Sequence, residues 1–137
     1  MSKLNAYVFF DGNCAEAMQF YEKVLNAKAN IFRVKDAPEP VQGAPNPNAV
    51  LHSRLEFGGN TLLASDWLAP EKYPGKQGFR ISIAVDTAAE AKRLFDALSK
   101  NGTVQVPLTK TFFAESFAMV TDRFGTPWIL RGGQSMP

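Results

Sequence analysis

His52, the chain's single histidine, lies in the run LHSRLEFGG, residues 51–59, and is followed at two-residue steps by Arg54 and Glu56. An imidazole in that company can be a metal ligand, a general base or hydrogen-bonding group in a pocket, or a packed side chain of a sheet. Metal ligation would need two or more further donors from Glu56, Glu115 or Asp122. Glu115, just after TFFA, is the second candidate for proton transfer, because burial among aromatics favours a neutral carboxyl that can act as acid or base. It can equally be an ion-pair partner of Arg54 or Arg80. Those two arginines can hold an anionic group (carboxylate, phosphonate or enolate) through paired donors, or they can close internal salt bridges with Glu56 and Glu115. Cys14 stands near a helix N-terminus, where a thiolate is stabilised. No base adjoins it in sequence, and it reads as structural.

The composition narrows what such groups could serve. The 137 residues suffice for one domain with a real core and not for two ordinary ones. Fifteen basic against thirteen acidic side chains leave a net charge of +2 without a basic run, so neither nucleic acid nor an anionic membrane is an expected partner. The opening MSKLNAYVFF has no apolar stretch followed by a small-residue cleavage site, and no segment approaches ~18 apolar residues. A single cysteine excludes an internal disulfide and a cysteine metal cluster. The chain reads as cytoplasmic. Its eleven phenylalanines must fill a core or an apolar pocket.

Two segments carry helical periodicity. In NCAEAMQFYEKVLN, residues Ala17, Phe20, Tyr21, Val24 and Leu25 form one stripe, with Asn13 and Glu16 placed for a capping box. In TAAEAKRLFDALSKNG the stripe is Ala91, Leu94, Phe95 and Leu98, with Thr87 and Glu90 as the box and Gly102 as the stop. AEAMQFYEKV (15–24) lies over AEAKRLFDAL (89–98) with three identities, and the stripe positions Ala17, Phe20, Tyr21 and Val24 fall on Ala91, Leu94, Phe95 and Leu98. Each helix follows a strand ending in Asp, AYVFFD or ISIAVD, and each precedes a hairpin turning on Phe-Gly, SRLEFGGNTLLAS or FAMVTDRFGTPWILR. The chain is therefore a tandem repeat of a strand-helix-strand-strand-strand unit, at about 1–68 and 78–132, within one domain. The stretch 35–49, with four prolines and two asparagines, is a loop or lid. Residues 67–78 join the halves, and GGQSMP is a frayed tail.

Strand parity assigns faces. Ala6, Val8, Phe10, Leu51, Ser53, Leu55, Phe57, Ile81, Ile83 and Val85 point to the helices. Asn5, Tyr7, Phe9, His52, Arg54, Glu56, Arg80, Ser82, Ala84, Glu115, Phe117, Met119 and Thr121 point the other way. Charges mixed with aromatics on one face suit a ligand cavity better than a plain core. His52, Arg54, Glu56, Arg80 and Glu115 are therefore expected around a cavity walled by Tyr7, Phe9, Phe113 and Trp128, with loop 36–49 at its mouth.

The motifs FFDGNCAEAMQFYEKVL, HSRLEFGGNTLLASD and TDRFGTPW resemble the PhnB-like branch of the vicinal oxygen chelate superfamily, which includes glyoxalase I, bleomycin-resistance proteins and extradiol dioxygenases. The resemblance covers nearly the whole chain. It implies an α+β fold of two tandem βαβββ modules curled into a cup around a small-molecule site, commonly in a homodimer. Some PhnB-like members are labelled demethylubiquinone methyltransferases. No glycine-rich loop follows a strand here to hold a dinucleotide-like cofactor, so that label is discounted and no cofactor is expected. The superfamily usually places His or Glu metal ligands on the first and last strands of each module. Those positions fall on Asn5, Arg80, Leu62 and Ile129, none a normal ligand, so no metal is expected. The resemblance and the face together point to a small-molecule-binding protein for an anionic or aromatic ligand. The alternative is a glyoxalase- or lyase-type enzyme using Glu115 and His52, possibly with a weakly held metal.

Overall fold

The computed structural model describes residues 2–44 and 46–134, and the chain divides into two compact units at Gly75 and Lys76. The first unit runs β1 (Ala6–Phe10), α1 (Cys14–Leu25), β2 (Lys28–Arg33), a 3-10 turn (Val34–Asp36), β3 (Val50–Phe57) and β4 (Asn60–Asp66). The second repeats it as β5 (Ile81–Val85), α2 (Ala88–Ser99), β6 (Thr103–Thr109), β7 (Ala114–Thr121) and β8 (Pro127–Gln134). Strand order β1-β4-β3-β2 recurs as β5-β8-β7-β6. In both sheets the first strand runs parallel to the last and the other pairs are antiparallel. Each sheet is open, so both units are the expected βαβββ module of an α+β fold.

Burial follows parity. Along β1, Val8 and Phe10 are buried while Tyr7 and Phe9 stay about two-fifths exposed. Along β7, Ala114, Ser116, Ala118 and Val120 are buried, and Glu115, Phe117, Met119 and Thr121 alternate with them toward the open face. In the first unit α1 lays Ala17, Met18, Tyr21, Val24 and Leu25 against the sheet that carries Val8, Phe10, Leu55 and Ala64, all of them buried. In the second, Ala91, Leu94 and Leu98 of α2 cover the sheet face bearing Ile83, Ala118, Val120 and Leu130. Each large aliphatic or aromatic side chain removed from water in this way contributes about 1.5–3 kcal/mol.

The helix ends depart from the sequence reading. Thr87 caps α2 as expected, its hydroxyl accepting from the Glu90 backbone N–H at 3.1 Å. The Glu90 carboxylate, however, turns to Arg93 instead of back to the cap. Asn13 occupies the cap position of α1 but makes no side-chain capping bond. The Cys14 N–H is instead received by Asp66 from the end of β4, at 2.9 Å. After α2 the left-handed residue is Asn101, φ 61°, and not Gly102. Gly102 is needed for contact: a Cβ there would lie 2.3 Å from the Thr121 carbonyl oxygen.

The proline-rich loop is stitched at its stem. Val34 and Lys35 donate to the carbonyls of Ala49 and Pro47, each at 2.9 Å, and the Arg33 guanidinium donates to the Asn48 carbonyl at 2.7 Å. Pro45 lies outside the described residues. In the shorter hairpin, Gly58 and Gly59 both take positive φ (53° and 83°), as a two-residue turn of the primed type requires.

Candidate functional site

On the open face of the first unit, Tyr7 of β1 and His52 of β3 meet: the phenol oxygen lies 3.1 Å from His52 Nδ1. That bond uses one ring nitrogen and leaves Nε2 for a ligand, as donor or acceptor according to which partner supplies the proton. Around the pair the aromatics continue. Tyr7 packs on Phe9 with ring centroids 5.1 Å apart, and Phe9 meets the edge of Trp67 at 5.3 Å. Trp67 meets Tyr73 at 6.1 Å. Phe32 of β2 is registered opposite His52 on the neighbouring strand, hence on the same face, and is 41% exposed. The indole N–H of Trp67 donates to the Glu71 carbonyl and the Tyr73 hydroxyl to the Phe9 carbonyl, each at 2.8 Å, so the linker segment is pinned against the end of β1. Arg54 and Glu56 follow on β3 and pair with each other at 3.2 Å, about half exposed. Such a pair contributes at most ~1 kcal/mol and is open to exchange with a ligand.

Burial first, and then the nearby Asp11 carboxylate, raise the Tyr73 phenol above its ordinary 10.0. A group whose pKa is raised on folding lends stability that is fully present below its unfolded value and is lost as pH rises through the folded one. Wild-type protein should thus lose stability above about pH 10 more steeply than Tyr73→Phe, measured by urea unfolding across pH 8–11. Matching slopes for the two proteins would reject the role given to this phenol.

In the second unit the expected residues take different parts. Arg80, just before β5, donates from Nη1 to the backbone carbonyls of Val120 and Trp128, at 3.2 and 3.3 Å. Glu115 on β7 is exposed, its carboxylate carbon 2.7 Å from where a Cβ on Gly133 would stand. Among the described residues neither takes part in an ion pair, so the Arg80–Glu115 bridge weighed from sequence does not form. Phe113 is half-buried, edge-on to Phe112 and Phe117 at 5.2 Å each, with its backbone N–H held by the Thr111 hydroxyl.

Trp128 requires a correction. It was expected as a cavity wall but is 1% exposed, registered with Ile81 and Val120 on the helix-facing side. Its indole N–H donates to Asp122 Oδ2 at 2.8 Å. A tryptophan with its one polar atom satisfied inside the core is a packing residue. Asp122 is likewise no metal donor: buried, it also receives the N–H groups of Phe124 and Thr126.

The usual metal positions can now be placed by register. Ala6 pairs with Leu62 and Ile81 with Trp128, so Leu62 corresponds to Trp128, and Ile129 corresponds to Leu63. The equivalence of Leu62 with Ile129 was one residue out. Asn5 and Arg80 do correspond. Asn5 spends its amide on the Thr61 carbonyl at 3.3 Å, Arg80 is a fixed cation, and Leu63 and Ile129 have no donor atom. These residues do not fit a divalent ion. Among the described residues no three of His, Cys, Asp or Glu are gathered suitably for one.

Sequence reading missed Phe32, Tyr73 and Asp66. Alternation in KANIFR could have put Phe32 on the face. Tyr73 sits in an aperiodic linker with no signal.

A sequence model described as 3-demethylubiquinone-9 3-methyltransferase matches residues 2–131. Protein PA1353 from Pseudomonas aeruginosa is 40% identical, with a TM-score of 0.89 over 98% of this chain and 100% of its own. Protein YjdN of Escherichia coli (strain K12) is 28% identical over 98% of this chain and 97% of its own. A putative 3-demethylubiquinone-9 3-methyltransferase, PhnB protein, from Bacillus cereus shares 22% identity and a TM-score of 0.78 over 96% and 99% of the two chains. At the level of fold alone, the likeness extends to a glyoxylase/bleomycin resistance protein/dioxygenase domain from Frankia sp. EAN1pec, at 12% identity and TM-score 0.63 over 98% and 94%. A match spanning nearly the whole sequence, on paired βαβββ units, makes this chain a member of the 3-demethylubiquinone-9 3-methyltransferase (PhnB-like) family with the glyoxalase/bleomycin resistance fold.

Proposed function

We propose that the protein binds a small aromatic or anionic molecule on the open face of its first sheet. The observation that carries this is the exposure of Tyr7 (41%), Phe9 (40%) and Phe32 (41%) together around His52. Water-facing aromatics gathered on one sheet face, with a few polar groups among them, are the ordinary make-up of a ligand surface. Tyr7, Phe9 and Phe32 supply stacking area, His52 a directional hydrogen bond, and Arg54 with Glu56 an exchangeable charge pair. In this reading the protein needs no resident metal or cofactor. The methyl transfer in the family's description draws no support from this chain's turns: the strand–helix turns, Asp11-Gly12-Asn13 and Asp86-Thr87, hold one glycine between them and make no glycine-rich loop against which a nucleoside cofactor could lie. We propose a cytoplasmic homodimer, and light scattering on the purified chain checks its two-chain state.

Screening aromatic carboxylates and phenols by thermal shift, with Trp67 fluorescence as readout, tests the proposal. Ligands found in this way should quench Trp67 and lose about tenfold or more in affinity on Phe9→Ala or His52→Ala. Ligands that bind those variants as well as wild type would reject this face as the site.

The Tyr7–His52 hydrogen bond favours a second reading, a glyoxalase- or lyase-type enzyme in which His52 moves a proton. Turnover of a bound ligand that vanishes in His52→Gln, with binding retained, would establish it over simple binding.

A further inference from the structure

Arg80 does more than its place in the fold demands. The residue before the first strand ties that strand to the neighbouring hairpin in both units. Asn5 does so with one amide bond to the Thr61 carbonyl, and Arg80 does so with Nη1 alone, to Val120 and Trp128. A neutral amide thus suffices for the structural task. The guanidinium brings a fixed charge and further donors, Nε and Nη2, that meet no acceptor among the described residues. Arg80 is also partly buried, where a cation without a counter-charge is costly.

Its surroundings supply the complement. Arg80 lines a cleft of about 540 Å³ with Lys76, Gln77, Phe79, Thr121 and Ile129, and no lining residue is acidic. The Lys76 ammonium donates to the Phe124 carbonyl at 3.3 Å, which holds a second positive charge in place. Phe79 is 45% exposed and offers an apolar wall. The matching cleft of the first unit is smaller, about 360 Å³, and has the amide of Asn5 in place of the guanidinium.

We infer that the cleft before β5 is an oxyanion site, in which Arg80 and Lys76 hold the carboxylate or phosphonate of a small ligand whose apolar part rests on Phe79 and Ile129. Every residue involved is in the second unit, so the inference stands apart from the reading of the first unit's aromatic face.

Phenylphosphonate titrated into the ¹⁵N-labelled full chain, with benzyl alcohol as the uncharged comparator, provides the test. Phenylphosphonate should shift the amides of 76–80, 121 and 128–129 saturably, and benzyl alcohol should barely move them. Arg80→Asn, which copies the first unit's solution and can keep the backbone tie, should weaken binding by about tenfold or more. Lys76→Gln should weaken it by several-fold, and it decides the matter if Arg80→Asn fails to fold. Shifts centred on Tyr7, Phe9 and His52, equal shifts with benzyl alcohol, or unchanged affinity in a folded variant would each overturn the inference. The first of these outcomes would leave the aromatic-face reading standing.

Discussion

Asp122→Ala should remove roughly 3–6 kcal/mol of stability, enough to bring a domain of ordinary stability close to unfolding. The carboxylate is 3% exposed and receives three donors: the N–H groups of Phe124 and Thr126 at 2.9 and 3.0 Å, and the Trp128 indole at 2.8 Å. It therefore builds the β7–β8 turn and anchors the largest core side chain of the second unit. Alanine leaves these donors without an acceptor, each at about 1–3 kcal/mol if it stays dry. In a Trp67→Phe background, Trp128 is the sole indole, so its emission reports the loss directly. The midpoint of thermal unfolding should fall by roughly 10 °C or more. Asp122→Asn should recover part of this, since an amide oxygen can accept while its NH₂ opposes a second donor. A fall of less than about 1 kcal/mol in Asp122→Ala would mean that the turn holds without its carboxylate.

The same aspartate shows why the fold was legible and parts of the site were not. Parity placed Tyr7, Phe9, His52, Arg54 and Glu115 on the open faces correctly, because the two-residue period of a strand is local and survives alignment errors of even length. Matching Phe57-Gly58 to Phe124-Gly125 was such an error, two residues out along β7: register sets Glu56 against Thr121, and the second hairpin is one residue longer. The faces came out right nonetheless. Matching Leu62 to Ile129 was an error of one residue, and it put a core position against an open one. Trp128 was misplaced because nothing local in DRFGTPW shows that Asp122 will reach its indole. A buried carboxylate that collects N–H groups after folding has no periodicity of its own. Asp122 therefore entered the sequence reading only as a possible metal donor and Asp66 not at all, and the charge cluster on the open faces drew the reading instead. Tyr73 was invisible for a related reason: its hydrogen bond to the Phe9 carbonyl joins residues 64 apart, from a linker without pattern.

Asp66→Ala should cost roughly 2–5 kcal/mol, and its most specific sign should be a newly reactive Cys14. Asp66 is 4% exposed and ends β4. One oxygen receives the Cys14 N–H at 2.9 Å, the first residue of α1, and the other receives the Val50 N–H at 2.7 Å, the first residue of β3. A carboxylate at a helix N-terminus also meets the positive end of the helix dipole, which replaces the capping bond that Asn13 does not make. Alanine leaves two buried N–H groups unsatisfied in adjacent elements, and the first turn of α1 should fray. Cys14 is fully buried, its sulfur 3.6 Å from the Ser53 hydroxyl, so native protein should resist thiol reagents for as long as that turn is closed. Under native conditions Asp66→Ala should label with an aromatic disulfide reagent at least about tenfold faster than wild type, because opening is governed by the local free energy. The loss should also reach the proposed site, since Val50 begins the strand that holds His52 against Tyr7. Asp122→Ala serves as the comparison: it destabilises the second unit's turn and should expose Cys14 less at equal overall stability. Equal labelling rates in the two variants would show that Cys14 opens only by global unfolding, and would remove Asp66 from its place as the clasp of α1 and β3.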